Sequence, residues 1–392
     1  MSSVSASTAS PAMPRAGAIA WIGLAGLAVA MGIGRFAFTP VLPLMQQEGS
    51  VGLVQGGWLA TANYVGYLAG AVICIWWHPR PAMAVRWGLL SIAVLTLAMG
   101  LTQGFSLWLI LRFLAGAGSA FVLVGVSAWA MPRLALAHKE TWSGYVFSGV
   151  GAGVCFAGIL CLVAGIVALG ANLTWICLGV VAALFTLVLW LPLTGDDGHE
   201  VVPPKSRPAP LSREAWLAAL CYGAFGYGYI IPATFLPAMA RDVITDPLVF
   251  GLIWPVFGAA GAISTLCAAA FLPHHSARRL WIRAQWILAA GVIAPVFTIN
   301  LYVLLFSALC VGGTFMVITM AGIREARRLG GTSAARLIAL YTAAFALGQI
   351  LGPPTVSLFH GGLAAPSVLA AFVLVASSLA LGRGASAPET SE

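Results

Sequence analysis

From Arg15 to Arg383 the chain alternates long apolar runs with short clusters of charge, proline or glycine. Cutting it at about 20 apolar residues per crossing yields twelve segments: 17–45, 52–76, 84–102, 105–131, 142–168, 171–193, 213–240, 247–272, 280–298, 300–322, 333–358 and 364–382. Each predicts a helix, because a backbone facing lipid has to satisfy its own hydrogen bonds. The fold class expected is all-α and membrane-integral, with twelve transmembrane helices. Residues 1–15 are rich in Ser, Ala and Pro and read as a disordered cytoplasmic tail. The apolar run that follows is longer than a signal-peptide core of roughly 7–15 residues, so it reads as an uncleaved first span.

The widest polar interval is 194–212, TGDDGHEVVPPKSRPAPLS, which reads as a cytoplasmic linker. It separates a six-helix half, 16–193, from a second, 213–383, with a short cytoplasmic tail at 384–392. The halves repeat. GIGRFAFTPVLPLM (32–45) and GYGYIIPATFLPAM (226–239) are offset by 194 residues, with Gly32, Gly34, Leu42, Pro43 and Met45 matching Gly226, Gly228, Leu236, Pro237 and Met239. An even number of spans between the copies makes the repeat parallel, an arrangement that carriers use to place a site at the membrane midplane.

Composition agrees with the pattern. Hydrophobic residues make up 60% of the 392 and charged residues 8%, whereas a soluble domain carries about a quarter charged. The net charge of +8 is an orientation signal rather than a nucleic-acid footprint. With the N-terminus cytoplasmic, 16 of the 19 basic residues fall on the inside, one (Arg241) outside, and two (Arg35 and Arg112) deep within spans. The location expected is a bacterial cytoplasmic membrane, with both termini cytoplasmic and the chain a monomer. The seven cysteines lie in apolar runs without C-x-x-C spacing and read as buried thiols rather than metal ligands.

Several stretches resemble the major facilitator superfamily. Arg112-Phe-Leu-Ala-Gly116-Ala-Gly118-Ser-Ala120 is similar to its span-four motif R-x-x-Q-G-x-G-x-A, with Ala115 in place of Gln. The segment from His78-Pro79-Arg80-Pro81 to Arg86 sits where the basic gating motif belongs but lacks its Asp and glycines. GIGRFAFTPVLPLM, Gly144-Tyr-Val-Phe-Ser-Gly149-Val-Gly151 and Thr342-Ala-Ala-Phe345-Ala-Leu-Gly348-Gln349-Ile-Leu-Gly352-Pro353 resemble the YbfB/YjiJ branch. The resemblance implies two six-helix repeats and a transporter, and it places spans one and four on a central cavity.

The candidate chemistry centres on two arginines. A lone guanidinium in hydrocarbon costs roughly 2.5–3.5 kcal/mol, and no Asp, Glu, Lys or His accompanies Arg35 and Arg112 in the span interiors. Each arginine either bonds carbonyls freed by nearby Pro40, Pro43 and Gly116 or snorkels outward. The alternative is that both form a cationic pocket for an anionic substrate. The second half offers Tyr229 (opposite Arg35 in the repeat), Tyr341 and Gln349, and span two offers Asn63 and Tyr67 at i, i+4. Gly34, Gly116, Gly118, Gly149, Gly153, Gly348 and Gly352 read as packing positions, those of spans five and eleven as sliding contacts between halves. Pro353-Pro354 should break the end of span eleven and act as a hinge.

No H-E-x-x-H, no G-x-x-x-x-G-K-[ST] and no G-x-S-x-G occurs, so neither an enzyme nor an ATP-driven pump is expected. The reading is a secondary active carrier without a cofactor. It moves a small organic anion or amphiphile by alternating access, with a coupling ion left open. Broad efflux of hydrophobic drug-like compounds is the alternative, and a membrane sensor or an intramembrane enzyme a remote one.

Overall fold

The computed structural model describes residues 15–77, 79–193, 210–244, 246, 251–272, 274–359 and 362–383. The two tails and most of the linker, 194–209, fall outside these residues. Twelve long helices account for the described chain: α1 Ala16–Gln47, α2 Leu53–Trp77, α3 Pro81–Leu101, α4 Phe105–Leu136, α5 Ser143–Ile166, α6 Ala171–Trp190, α7 Arg213–Val243, α8 Ile253–Phe271, α9 Ala277–Phe297, α10 Leu301–Gly330, α11 Ala334–Leu358 and α12 Ala364–Arg383. Eleven are long and apolar enough to cross a bilayer, and α2, at 25 residues, has the length to do so. Large apolar side chains such as Leu187, Phe271 and Phe372 stand exposed around the outside, as a lipid-facing surface requires.

Three expectations from sequence change. Helices α4 and α10 run several residues past their predicted ends, to Leu136 and Gly330, because hydropathy marks where lipid ends, not where the hydrogen-bond ladder stops. Helix α7 continues through Arg241, which had been placed in a loop. Helix α11 does not break at Pro353-Pro354 but continues through both to Leu358. Prolines remove donors without forcing an end where neighbouring helices hold the segment.

Helix packing repeats between the halves: α1 lies on α5 as α7 lies on α11, α2 on α4 as α8 on α10, and α3 on α6 as α9 on α12. Glycine makes the first of these approaches possible. A Cβ on Gly153 would strike the Ala28 backbone, and one on Gly348 the Gly223 backbone, with both partners 195 residues further along the chain. Gly149 likewise meets the Leu24 backbone, and Gly352 the Ile230 side chain. These glycines therefore pack within each half, not between the halves as the sequence suggested.

The halves meet along two seams, α2 with α11 and α5 with α8. The α5–α8 seam is built on glycines seven residues apart, Gly144, Gly151 and Gly158, which face Ala269, Gly258 and Pro255 in turn. A Cβ on Gly151 would come within 2.7 Å of the Gly258 carbonyl oxygen, and one on Gly158 within 2.8 Å of Pro255 N. The seven-residue spacing of this stripe lies outside the G-x-x-x-G pattern, so the sequence gives it no recognised packing signature.

Candidate functional site

Helix α1 is not uniform. Residues Ala28–Phe36 are wound as a π-helix before the α-helix resumes at Phe38. Pro40, having no N–H, withholds one of the donors that would close this turn. Neighbouring helices supply donors instead. Arg112 of α4 reaches across with Nη1 donating to Gly34 O at 3.3 Å and Nη2 donating to Arg35 O at 3.2 Å. Asn63 of α2 donates from Nδ2 to Gly34 O at 3.4 Å and to Arg112 O at 3.0 Å. The Ser119 hydroxyl donates to Ala30 O at 2.9 Å. Close approach depends on small residues: a Cβ on Gly116 would strike Asn63 O, and one on Gly34 would sit 2.9 Å from Ser119 Oγ. Gly118 similarly faces Ser91 of α3.

The two arginines therefore do different work. Arg112 is buried, lies 4.7 Å from the Phe38 ring and gives both terminal nitrogens to backbone carbonyls. It does not line the central cavity. Arg35, 2% exposed, does line it. Its guanidinium stacks 4.1 Å from the Tyr67 ring centroid and 5.5 Å from those of Tyr64 and Phe36. Arg35 Nη2 donates to Gln349 Oε1 of α11, whereas its Nε and Nη1 have no hydrogen-bond partner. A joint cationic pocket, as read from the sequence, is thus reduced to one buried guanidinium on the cavity wall.

The cavity beneath Arg35 has a volume of about 60 Å³, room for a few waters. Small-molecule sites run to several hundred cubic ångströms, so this conformation is closed around its centre. Aromatic rings make much of the wall. Tyr229 lies flat between Phe315 and Phe345, 5.7 Å from each at interplanar angles of 5° and 16°. Tyr341 stacks on Tyr222 at 5.1 Å. The hydroxyls of Tyr229 and Tyr341 have no hydrogen-bond partner, nor has Gln349 Nε2. Among the described residues no acidic side chain lines the cavity.

Of the residues singled out from sequence, Arg35, Tyr67, Tyr229 and Tyr341 reach the cavity wall. Gln349 reaches Arg35, while Asn63 joins Arg112 in the clamp on α1. The prolines part company: Pro40 and Pro43 line a separate cavity of about 160 Å³ with Trp254 and the C-terminal end of α5. Met31, Phe36, Phe315, Met316, Thr319 and Phe345 also form the wall and were not recognised as site residues. An apolar residue in an apolar helix carries no mark of which way it faces.

Hydrogen bonds close one side of the cavity. Thr39 Oγ1 donates to Ala233 O at 3.5 Å, and the hydroxyls of Tyr64 and Thr234 share a bond at 3.1 Å. Thr39 and Ala233 are separated by the repeat offset of 194, so equivalent positions of the halves touch. Both contacts lie beyond Arg35 and Tyr229, on the side away from the chain termini. The cavity extends to the opposite side, past Tyr222, Ile323 and Ile338.

At the termini side of the second half, a charge cluster joins three helices. Arg278 of α9 pairs with Glu325 of α10 at 2.8 Å and with Glu214 of α7 at 2.5 Å. Arg328 reaches the same two carboxylates at 2.8 and 3.3 Å. In the first half, the basic segment after α2 contributes Arg86, whose Nε donates to Trp190 O at 2.9 Å. Both arrangements tie helices within one half.

Comparison with known proteins places these features. A family model described as "Uncharacterised MFS-type transporter YbfB" matches residues 27–381. A curated relative, "Uncharacterized MFS-type transporter YceJ" of Bacillus subtilis (strain 168), is 32% identical over 94 residues. That match spans only about a quarter of either chain, 24% of each. The family match, by contrast, runs from the π segment of α1 almost to the end of α12, over the whole helical body that encloses the cavity. The chain therefore belongs to the YbfB-type family of the major facilitator superfamily, whose members are multi-pass membrane transporters.

Proposed function

We propose that the protein is a secondary active carrier of a small organic anion with an apolar, planar body. The halves 16–193 and 213–383 would rock about the cavity between them. The observation that carries the anion assignment is Arg35: a buried guanidinium on the cavity wall with two nitrogens unpartnered. A buried cation lacking an opposite charge is costly, and a carboxylate from the substrate supplies that charge, bidentately once Nη2 is free of Gln349. The stacked rings of Tyr229, Phe315, Phe345, Tyr222 and Tyr341 provide faces for the apolar body.

Melting of purified protein with benzoate, phenylacetate and indole-3-acetate, each against its neutral amide, tests this. A ligand that binds only the folded state raises the melting temperature. The acids should stabilise the wild type and the amides should not. Arg35→Gln should weaken acid binding roughly ten- to hundredfold, the effect of losing one charge-assisted contact of about 1.5–3 kcal/mol. Arg35→Lys keeps the charge without the planar fork and should retain part of the affinity. Unchanged acid binding in a folded Arg35→Gln protein would overturn the assignment.

The apolar share of the wall, including Met31, Leu123, Val150 and Met316, supports broad efflux of hydrophobic compounds as the second reading. Equal stabilisation by the acids and their amides would favour it. The orientation proposed, in a bacterial cytoplasmic membrane with both termini inside, rests on the bias of 16 basic residues to one. Impermeant labelling of intact cells should mark a cysteine at Gln47 and spare one at Gly330.

A further inference from the structure

The contact between Arg35 and Gln349 joins α1 of the first half to α11 of the second, at the inner edge of the closed side. Both side chains are buried, Arg35 at 2% exposed and Gln349 at 0%. The acceptor on a guanidinium that faces a cavity is therefore a neutral amide oxygen belonging to the opposite half.

We infer that Gln349 stands in for the substrate's carboxylate in the closed state, and that the incoming anion displaces it and thereby unties the halves. This rests on the anion reading above. Three features support it. An amide oxygen is a weaker acceptor for a guanidinium than a carboxylate, so exchange is downhill for an acid but not for its amide. The Nε and Nη1 groups are already unpartnered, so a carboxylate can begin to bind before the Gln349 contact is broken. The Gln349 amide donor is also unpartnered, so its retreat from Arg35 sacrifices one bond, not two.

The tie also lies beside the seal formed by Thr39 with Ala233 and by Tyr64 with Thr234. Thr39 is one helical turn beyond Arg35 on the same helix. Releasing Arg35 from α11 frees α1 to move away from α7, which opens that side. Substrate binding and opening then become a single event, and an empty carrier remains tied.

The test uses purified full-length protein with Thr39→Cys as a near-isosteric reporter. Modification of residue 39 by a hydrophilic maleimide is read by peptide mass, so the native cysteines can remain. Benzoate should raise labelling in the wild-type background and benzamide should not. Without ligand, Gln349→Met should raise labelling by itself. It should also bind benzoate up to roughly tenfold more tightly, because the competent state no longer has to be released. Gln349→Glu, which places a permanent carboxylate on Arg35, should lower labelling and abolish the benzoate response. Opposite shifts from these two variants separate a displaced tie from simple damage to the fold.

The inference is overturned if Gln349→Met leaves labelling unchanged and binds benzoate more weakly. Gln349 is then an ordinary ligand contact, and the anion reading stands without it. If none of the three acids shifts the melting temperature while Gln349→Met still raises labelling, the anion reading fails and displacement fails with it.

Discussion

Replacing Arg112 with methionine separates the roles of the two membrane arginines. The substitution keeps an unbranched apolar stem but removes the guanidinium and with it the donors to Gly34 O and Arg35 O. Gly34 O retains Asn63 Nδ2 at 3.4 Å, so the main loss is the donor to Arg35 O. An orphaned buried carbonyl costs about 1–3 kcal/mol, whereas interhelical hydrogen bonds measured in bilayers average about 0.6 kcal/mol. Relief of a buried cation offsets part of the loss. The net expected is about 1–2 kcal/mol. At roughly 2 °C per kcal/mol for a large chain, the melting temperature should fall by about 2–4 °C.

Arg35→Met should behave in the opposite way. It removes a cation with two unpartnered nitrogens, so stability should hold or rise, while acid binding disappears. Arg112→Met should keep the acid response within about threefold, because Arg112 does not line the cavity. Melting curves of both variants with and without benzoate give the four numbers needed. An Arg112→Met protein that melts like wild type but no longer responds to benzoate would refute the division of labour.

Three further outcomes follow from packing and charge. Gly151→Leu should insert a side chain where even a Cβ comes within 2.7 Å of the Gly258 carbonyl oxygen; transport in proteoliposomes should stop while each half stays helical by circular dichroism, and retained transport would show that the α5–α8 seam can part freely. Glu325→Ala should leave the buried Arg278 with Glu214 alone, costing about 3 kcal/mol, seen as a lower melting temperature that Glu325→Gln partly restores. Glu48→Ala should remove the acceptor that caps α6, where Glu48 Oε1 receives Ala171 N–H at 2.7 Å; the expected loss is about 1 kcal/mol, and an unchanged melting temperature would show that water replaces it.

How much of the site could be read from the sequence varies residue by residue. Arg35 announced itself, because a charge in hydrocarbon stands out against its neighbours and needs a reason. Tyr67, Tyr229 and Tyr341 were found as polar groups in apolar spans, and all three line the cavity. Arg112 carried the same signal as Arg35 but a different role, since its direction depends on which carbonyls α1 leaves open. That in turn depends on the π winding of Ala28–Phe36, which no periodicity revealed. Phe315 and Phe345 were silent until Tyr229 was seen stacked between them.

The sequence by itself determined the class, the number of crossings, the repeat and the family resemblance. Each of these is a local or additive property: about 20 apolar residues span a bilayer wherever they occur, and the offset of 194 is visible without folding anything. The tertiary structure alone decided which helix faces meet. Lipid tails are as apolar as leucine, so a transmembrane helix shows little contrast between its buried and its lipid-facing sides. The glycine stripe of the α5–α8 seam, the clamp of Arg112 on Gly34 and Arg35, and the reach of Arg35 to Gln349 all rest on that choice of face. They join residues up to 314 positions apart, held together by close backbone approach and by buried polar groups seeking partners, and nothing local in the chain names the partner across such a distance.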